Sequence, residues 1–309
     1  MKTRTVLILA IAAVILAILS FWVGQQAYGW MPPQASAESV LVDDLFSFLV
    51  TIGTFIFLGV SGTLIYSILF QQAGKYDTTD GPHLEGNITL EVVWTAIPFV
   101  LVLWIATYSF QVYDQMSILG PMEHMHMAEA APAPSDAVPS TAAPSTAAAS
   151  EPIEVLARQW VWEFRYPEQN ISSTELHLPN NQRAVLTLKS EDVIHGFYIP
   201  AFRVKQDIIP NRAIQFEFTP IREGSYRLRD SEYSGTYFSS MQADVVVESP
   251  EAHREWLAQA AAQSPKVAYN EAFDSYRRAT EKGISAGWKT VPPAAPPLVN
   301  YSGSPLVEE

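Results

Sequence analysis

The sequence contains no cysteine among its 309 residues. Disulfide bonds, thiolate metal ligands and cysteine nucleophiles are therefore excluded. Basic residues are also scarce, with 19 Lys and Arg against 32 Asp and Glu and a net charge of −13. Because an acidic chain of this kind lacks the electrostatic footprint of a nucleic-acid binder, we expect no nucleic acid among its partners.

Charge is missing altogether from two long stretches, residues 45–70 and 92–112. Each stretch is long enough to cross about 30 Å of hydrocarbon as a helix. Soluble domains rarely bury uncharged runs of this length. We therefore predict a transmembrane hairpin over residues 41–116, with the lipid bilayer as its surroundings.

The N-terminal segment, residues 1–37, has a basic start at Lys2 and Arg4 and an apolar run over residues 6–23. This pattern is typical of a signal peptide, and the small residues 35–37 offer a cleavage site. The apolar run is also close to spanning length and lies far from that site, which favours a retained membrane anchor. Both alternatives, a cleaved signal and a third span, stay open.

The scarcity of basic residues also indicates orientation. The only basic residues among positions 1–150 are Lys2, Arg4 and Lys75. Lys75 lies between the two predicted spans. Since basic loops stay on the cytoplasmic side, the loop around Lys75 is predicted to be cytoplasmic. Everything after the second span then lies on the opposite, p-side face of the membrane.

Residues 151–250 alternate apolar and polar side chains with a period of two. Trp160, Trp162, Phe164 and Tyr166 alternate with polar neighbours, and residues 214–218 repeat the pattern. Short alternating strands broken by Pro, Asn and Gly predict an antiparallel barrel or sandwich. His177 is expected to be a polar residue within one of these strands.

Two segments flank this domain. Residues 117–150 are rich in Ala, Pro, Ser and Thr and form a linker that cannot bury a core. Its Met122–Met127 cluster of Met and His could hold copper, but a metal-free tether is favoured. Residues 251–309 are predicted to hold helices near 253–263 and 269–282 before a Pro-rich end, and we assign them no chemistry.

The loop that ends at Met241 has the layout of a copper site without its ligands. A thiolate-bridged dicopper centre needs Cys-x-x-x-Cys-x-x-x-His-x-x-Met together with an upstream His. Here Asp230 and Ser234 stand at the Cys positions and Phe238 stands at the His position. Only His195 and Met241 remain, so we expect no dicopper centre.

This stretch resembles subunit II of the haem–copper respiratory oxidases. Residues 193–195 (Val-Ile-His), 204–207 (Val-Lys-Gln-Asp) and 209–212 (Ile-Pro-Asn-Arg) match that family, and the resemblance covers about 41–248. The absence of the copper ligands and the sequence of residues 233–241 resemble the quinol-oxidising members of the family. His195 and residues 205–207 (Lys-Gln-Asp) are instead similar to the cytochrome c-oxidising branch, especially its cyanobacterial form.

The resemblance implies a membrane α-helical hairpin followed by an all-β cupredoxin-like barrel on the p-side. It implies a second core subunit of a terminal oxidase that reduces O₂ to water and translocates protons. Haem and copper would lie in partner subunit I, with subunit III beside it, and this chain would hold no active site. Electrons are expected from a membrane quinol, in the plasma or thylakoid membrane of a cyanobacterium-like cell.

The same resemblance implies roles for three residues. Glu91 would lie at the mouth of a proton-uptake path into subunit I, although an acid at a helix start is also favoured by the helix dipole alone. Trp160 stands where the family accepts electrons from cytochrome c, but without copper behind it we expect packing. Glu232 would point toward a Mg²⁺ ion at the contact with subunit I, or else be an exposed loop acid. A single metal ion held by Asp230, Glu232, His195 and Met241 is disfavoured because the donors are poorly matched.

Two other classes of function stay open. One is a cytochrome c oxidase subunit 2 with a rebuilt route for electrons near Asp230. The other is a non-catalytic copper-delivery or assembly factor that uses the Met122–Met127 cluster. The long spans and the extensive barrel argue against the assembly factor.

Overall fold

The computed structural model describes residues 3–72, 74, 76, 86–116, 152–264 and 269–281. Lys75, the Met122–Met127 cluster, the linker between residues 117 and 150, and the Pro-rich end lie outside the described residues. The chain divides into two compact units, Met1–Met31 with Leu41–Gln115 and Pro32–Val40 with Met116–Glu309.

Within the described residues, three helices are long and apolar enough to cross a membrane. They are α1 (Thr3–Gln26), α2 (Ala37–Phe70) and α3 (Ile88–Met116). Helices α2 and α3 confirm the predicted hairpin. Most of their large apolar side chains are exposed, as expected for surfaces that face lipid rather than water.

Small and aromatic residues bring these helices together. Ser47 Oγ donates a hydrogen bond to the Gly24 carbonyl oxygen at 2.9 Å, which joins α2 to α1. A Cβ at Gly24 would overlap the Thr51 side chain, so glycine permits this close approach. Phe48 of α2 packs edge-to-face on Trp104 of α3 with ring centroids 5.1 Å apart.

The candidate cleavage segment is built into the second unit. Ala35 and Ser36 are fully buried. The Ala35 N–H donates to the Ala201 carbonyl at 3.1 Å, and the Ala35 carbonyl accepts from Ile221 at 2.9 Å. The small side chains therefore serve close packing in the folded chain, and cleavage before folding stays a prediction.

Among the described residues, ten strands form two five-stranded sheets. The strands are β1 (Ile153–Arg158), β2 (Val161–Tyr166), β3 (Ile171–Ser173), β4 (Leu176–Pro179), β5 (Ala184–Ser190), β6 (His195–Ile199), β7 (Val204–Ile208), β8 (Ile214–Phe218), β9 (Gly224–Asp230) and β10 (Gln242–Glu248). One sheet has the order β3-β2-β1-β5-β8 and the other has the order β4-β10-β9-β6-β7. This arrangement is a cupredoxin-like sandwich, which confirms the predicted all-β class.

The prediction of a wholly antiparallel domain is wrong. Strand β1 pairs with β5 in parallel, and β10 pairs with β4 in parallel. Parallel neighbours need a long crossover, and the intervening strands supply it here. Alternation along a strand shows which face is buried, but it carries no information about the direction of the neighbouring strand.

Aromatic side chains fill the space between the sheets. Trp162 of β2 is fully buried and lies edge-to-face on Phe197 of β6, which in turn contacts Phe216 of β8. The predicted alternation is confirmed in β2, where Trp162, Phe164 and Tyr166 are buried and Glu163 and Arg165 are less so. Trp160, however, belongs to the turn before Val161 and not to the strand, because the chain reverses there from β1 into β2.

Both predicted C-terminal helices are present, as α4 (Pro250–Ala261) and α5 (Glu271–Glu281). The Ser249 hydroxyl caps α4 by accepting from the Ala252 N–H at 3.2 Å. Trp256, Ala260 and Ala272 are buried against the sandwich. The described part of the extension is therefore an integral layer of the domain.

Candidate functional site

The site forms where β6 begins and β9 ends. His195 is the first residue of β6 and Asp230 is the last of β9. The antiparallel register places Phe197 opposite Asp230, and the Ser231 N–H donates to the Gly196 carbonyl at 3.0 Å. Strand pairing thus brings two side chains distant in sequence to one end of the sandwich.

His195 is held between two carboxylates. Its Nδ1 lies 2.8 Å from Asp230 Oδ2, and its Nε2 lies 2.8 Å from Asp192 Oδ1. The side chains of His195 and Asp230 are completely buried. Ionised carboxylates only accept hydrogen bonds, so this geometry favours the imidazolium form of the ring, in which both nitrogens donate. We call Asp192, His195 and Asp230 the carboxylate clamp.

Backbone donors fix the two acids of the clamp. Asp230 Oδ1 accepts from the Gly196 N–H at 2.7 Å and from the Glu232 N–H at 3.1 Å. Asp192 Oδ2 accepts from the Gln159 N–H at 2.7 Å. Hydrogen bonds to ionised acceptors are stronger than neutral ones, so these donors hold both carboxylates in position.

Glycine is required at the centre of this arrangement. A Cβ at Gly196 would lie 3.0 Å from the Glu232 backbone nitrogen and would overlap the Ser231 side chain. Any larger residue would push the loop after β9 away from β6. The clamp therefore depends on close approach of two backbones.

The clamp changes the titration of His195. Burial disfavours the charged ring, but the hydrogen bonds to Asp230 and Asp192 outweigh burial and raise the pKa above its usual 6.5.

The other predicted loop positions have separate surroundings. Ser234 is buried, and within the described residues its hydroxyl has no hydrogen-bond partner. Phe238 packs its ring on Tyr233 with centroids 5.2 Å apart. Met241 is fully buried, and its carbonyl accepts from the Asp230 N–H at 3.1 Å. The structure thus brings His195 and Asp230 into direct contact, while Ser234 and Phe238 make different contacts.

These residues do not fit a dicopper centre. Such a centre needs bridging thiolates and free imidazole lone pairs. The chain has no cysteine, and both nitrogens of His195 are engaged with carboxylates. A metal ion at His195 would first have to displace a proton and a charge-assisted hydrogen bond.

Glu232 has a cationic neighbour. Its Oε1 lies 2.7 Å from Lys205 Nζ, and the same ammonium lies 3.3 Å from Asp207. The hydrogen bond to Glu232 raises the pKa of Lys205. A Mg²⁺ ion bound by Glu232 would compete with this ion pair.

Glu91 lies in the first turn of α3. The Asn87 side chain caps that turn by accepting from the Leu90 N–H at 3.2 Å. Glu91 itself is exposed in the isolated chain. This position agrees with a helix-start acid and leaves its carboxylate accessible for contact with another subunit.

Trp160 is enclosed, with 4% of its surface exposed. Its Nε1 donates to the Ser234 carbonyl at 3.1 Å. Gly235 has φ +115°, and a Cβ there would lie 3.0 Å from the indole ring. The loop after β9 therefore packs directly against Trp160.

Sequence reasoning missed a second buried histidine with two acid partners. His177 lies in β4 as predicted, but its Nδ1 lies 3.0 Å from Glu248 and its Nε2 lies 3.5 Å from Glu175. Its ring stacks on Trp256 at 3.9 Å. Burial lowers the pKa of His177, and the two carboxylates outweigh burial and raise it.

Asp192 was also not assigned a role from the sequence. Asp192 lies three residues before His195, which begins β6. This spacing was a signal in the sequence that could have identified Asp192 as a partner of the histidine. Glu248, in contrast, is 71 residues from His177, and only the parallel pairing of β4 with β10 brings them together.

Comparisons with known proteins match both parts of the chain. The family described as "Cytochrome C oxidase subunit II, transmembrane domain" matches residues 20–112. The family described as "Cytochrome C oxidase subunit II, periplasmic domain" matches residues 173–249. These ranges correspond to the helical hairpin and to most of the sandwich.

Individual relatives agree with these matches. Cytochrome c oxidase subunit 2 of Synechocystis sp. is 36% identical over 278 residues, covering 84% of this chain and 83% of that protein. Quinol oxidase subunit 2 of Bacillus subtilis is 24% identical over 242 residues, covering 76% and 66%. Among solved structures, the periplasmic domain of subunit II of cytochrome oxidase from Bradyrhizobium japonicum matches with a TM-score of 0.34 and 26% identity, covering 36% of this chain and 92% of that chain.

Proposed function

We propose that this chain, which belongs to the cytochrome c oxidase subunit II family, serves a haem–copper oxidase that oxidises a membrane quinol. As a member of that family it is an integral membrane protein with a periplasmic domain, and it associates with other oxidase subunits. In our proposal the complex reduces O₂ to water and translocates protons. Its haems and copper belong to subunit I, subunit III is a further partner, and the membrane is a plasma or thylakoid membrane.

The carboxylate clamp is the observation that supports a quinol donor. In place of sulfur ligands, Asp230 forms an ion pair with His195, and both ring nitrogens are engaged. Neither carboxylate nor imidazolium accepts an electron reversibly at respiratory potentials. A quinol dissolves in the bilayer and can reach subunit I without passing through this domain.

A second candidate is an oxidase that accepts electrons from cytochrome c. The relatives from Synechocystis sp. and Thermostichus vulcanus are both named cytochrome c oxidase subunit 2 and are each 36% identical to this chain. Trp160 is also retained. This alternative requires a redox centre other than dicopper beside His195.

Turnover of the purified complex distinguishes the two donors. We expect rapid oxidation of a quinol and almost none of reduced cytochrome c. Trp160→Phe should leave quinol turnover intact, because the ring is enclosed by packing. Rapid cytochrome c turnover that collapses in Trp160→Phe would contradict the quinol donor, as would a near-infrared dicopper band.

Glu91 and Glu232 complete the proposal. We propose that Glu91 passes protons toward subunit I and that Glu232 shares a Mg²⁺ ion with it. Glu91→Gln should slow turnover in the assembled complex while changing stability by about 1 kcal/mol or less, because it removes one exposed helix-start charge. Oxygen consumption equal to that of the unmodified complex would reduce Glu91 to a helix-start residue.

A further inference from the structure

Helix α5 covers the outer side of Trp160. The indole ring lies edge-to-face on Tyr237, 5.3 Å between centroids, and edge-to-face on Tyr276 of α5, 5.1 Å between centroids. Tyr237 belongs to the loop after β9, whereas Tyr276 comes from the C-terminal extension. The low exposure of Trp160 therefore depends on two different parts of the chain.

Polar contacts hold α5 on the turn between β1 and β2. The Asn270 side chain donates from Nδ2 to the Gln159 carbonyl at 3.2 Å. The hydroxyls of Ser275 and Tyr237 lie 3.4 Å apart. Ala272 lies on the buried face of α5, packed against the hydrophobic core of the domain. These contacts place α5 directly over the residue pair Gln159 and Trp160.

Helix α5 has little stability of its own. It has 11 residues, and isolated helices of this length are marginal in water. Its exposed face carries ion pairs from Asp274 to Arg277 and Arg278, and exposed pairs of this kind stabilise a helix only weakly. Helix α5 therefore depends on docking at Trp160 to stay folded. Elements with this dependence can open locally without unfolding of the whole domain.

We propose that α5 is a cap that withholds Trp160 from soluble haem-protein donors and so prevents their unproductive docking at this site. A donor of this class must bring its haem edge close to an aromatic acceptor, and a helix with side chains is about 10 Å thick. Interposing α5 lengthens the path for an electron and removes the flat contact surface. This inference rests on the proposed quinol donor and assigns a function to the C-terminal extension.

Variants of the intact complex test the cap. One variant ends after Gln263 and lacks α5, another carries Tyr276→Ala, and the control carries Phe273→Ala, which changes a side chain of the same helix that is 45% exposed. Oxidative footprinting with peptide mass spectrometry reports the accessibility of Trp160. Sedimentation with cytochrome c at low ionic strength reports donor binding, and quinol turnover reports integrity.

We expect severalfold more oxidation of Trp160 in the truncated complex, a smaller increase in Tyr276→Ala and none in Phe273→Ala. Cytochrome c binding should rise in the same order, with quinol turnover unchanged. Equal labelling of Trp160 in all variants would overturn the cap alone, and so would an exposed Trp160 without tighter cytochrome c binding. Rapid cytochrome c oxidation by the unmodified complex would instead overturn the quinol donor, and the cap with it.

Discussion

Two buried histidines of the sandwich have the same kind of partners and different surroundings. His195 has a carboxylate at 2.8 Å from each ring nitrogen, and its acids are fixed by backbone N–H groups. His177 has looser contacts at 3.0 and 3.5 Å and stacks on Trp256. The first site joins two strands, and the second attaches a helix to a sheet.

The comparison shows that hydrogen-bonded charge pairs fix the loop after β9 at the first site. A metal ion would crosslink β6 to the loop after β9, and here Asp230 makes that link through His195 and two backbone donors. The clamp is rigid because each of its acids has at least two donors. The cluster around His177 relies instead on ring stacking, which tolerates displacement of the helix.

Asp230→Ala should produce the largest loss of stability. The change leaves a buried imidazolium with one acid and removes the acceptor of two backbone N–H groups, which costs about 3–5 kcal/mol. Urea denaturation of the purified chain in detergent measures the loss. Asp244→Ala is the matched control, since its exposed pair with Arg227 is worth about 1 kcal/mol or less. Equal effects of the two changes would show that the clamp is not a structural link.

Trp256→Ala should mainly release α4. Trp256 is buried, stacks on His177 and contacts Tyr166 edge-to-face at 5.1 Å. We expect a loss of about 3 kcal/mol, the lower end for a buried tryptophan, because α4 can undock instead of leaving a cavity. Hydrogen exchange should accelerate in α4 and remain slow in β6 and β9. Trp256→Phe keeps a ring for stacking and should lose much less, and uniform acceleration across the sandwich would contradict local release.

The pH dependence of α4 docking should be bell-shaped. The raised pKa of His177 means that its stabilisation is present below about 6.5 and is lost as pH rises through the folded pKa. Burial raises the pKa of Glu248, but the imidazoles of His177 and His253 outweigh burial and lower it to about 2. Its stabilisation is present above 4.5 and is lost as pH falls toward that value. Hydrogen exchange of α4, corrected for intrinsic rates, should be slowest between these limits, and His177→Gln should abolish the alkaline loss.

Ser234→Ala should have the smallest effect and the opposite sign. The hydroxyl is buried and, within the described chain, has no hydrogen-bond partner. Removing an unsatisfied polar group is expected to stabilise the protein by about 1 kcal/mol. The same urea denaturation measures it. A clear destabilisation would contradict this expectation and would indicate a hydrogen-bond partner for the Ser234 hydroxyl.

Period-two and uncharged patterns predicted much of this fold and part of the site. The hairpin, the buried faces of β2, β8 and β10, and both C-terminal helices followed from local patterns. The motif placed His195 and Asp230 at positions of one dicopper site, but their direct hydrogen bond was not predicted. Parallel pairing of β1 with β5 was not predicted, because strand direction depends on partners far along the chain.

The sequence by itself determined what the chain can bury and what it cannot bind. Its uncharged runs require a membrane, and its lack of cysteine removes the thiolates of a dicopper centre. Tertiary structure alone decided that Glu248 joins His177 and that α5 encloses Trp160. The reason is that these contacts join residues separated by several strands or by the whole domain, and such contacts are fixed by strand order and packing, which local periodicity does not specify.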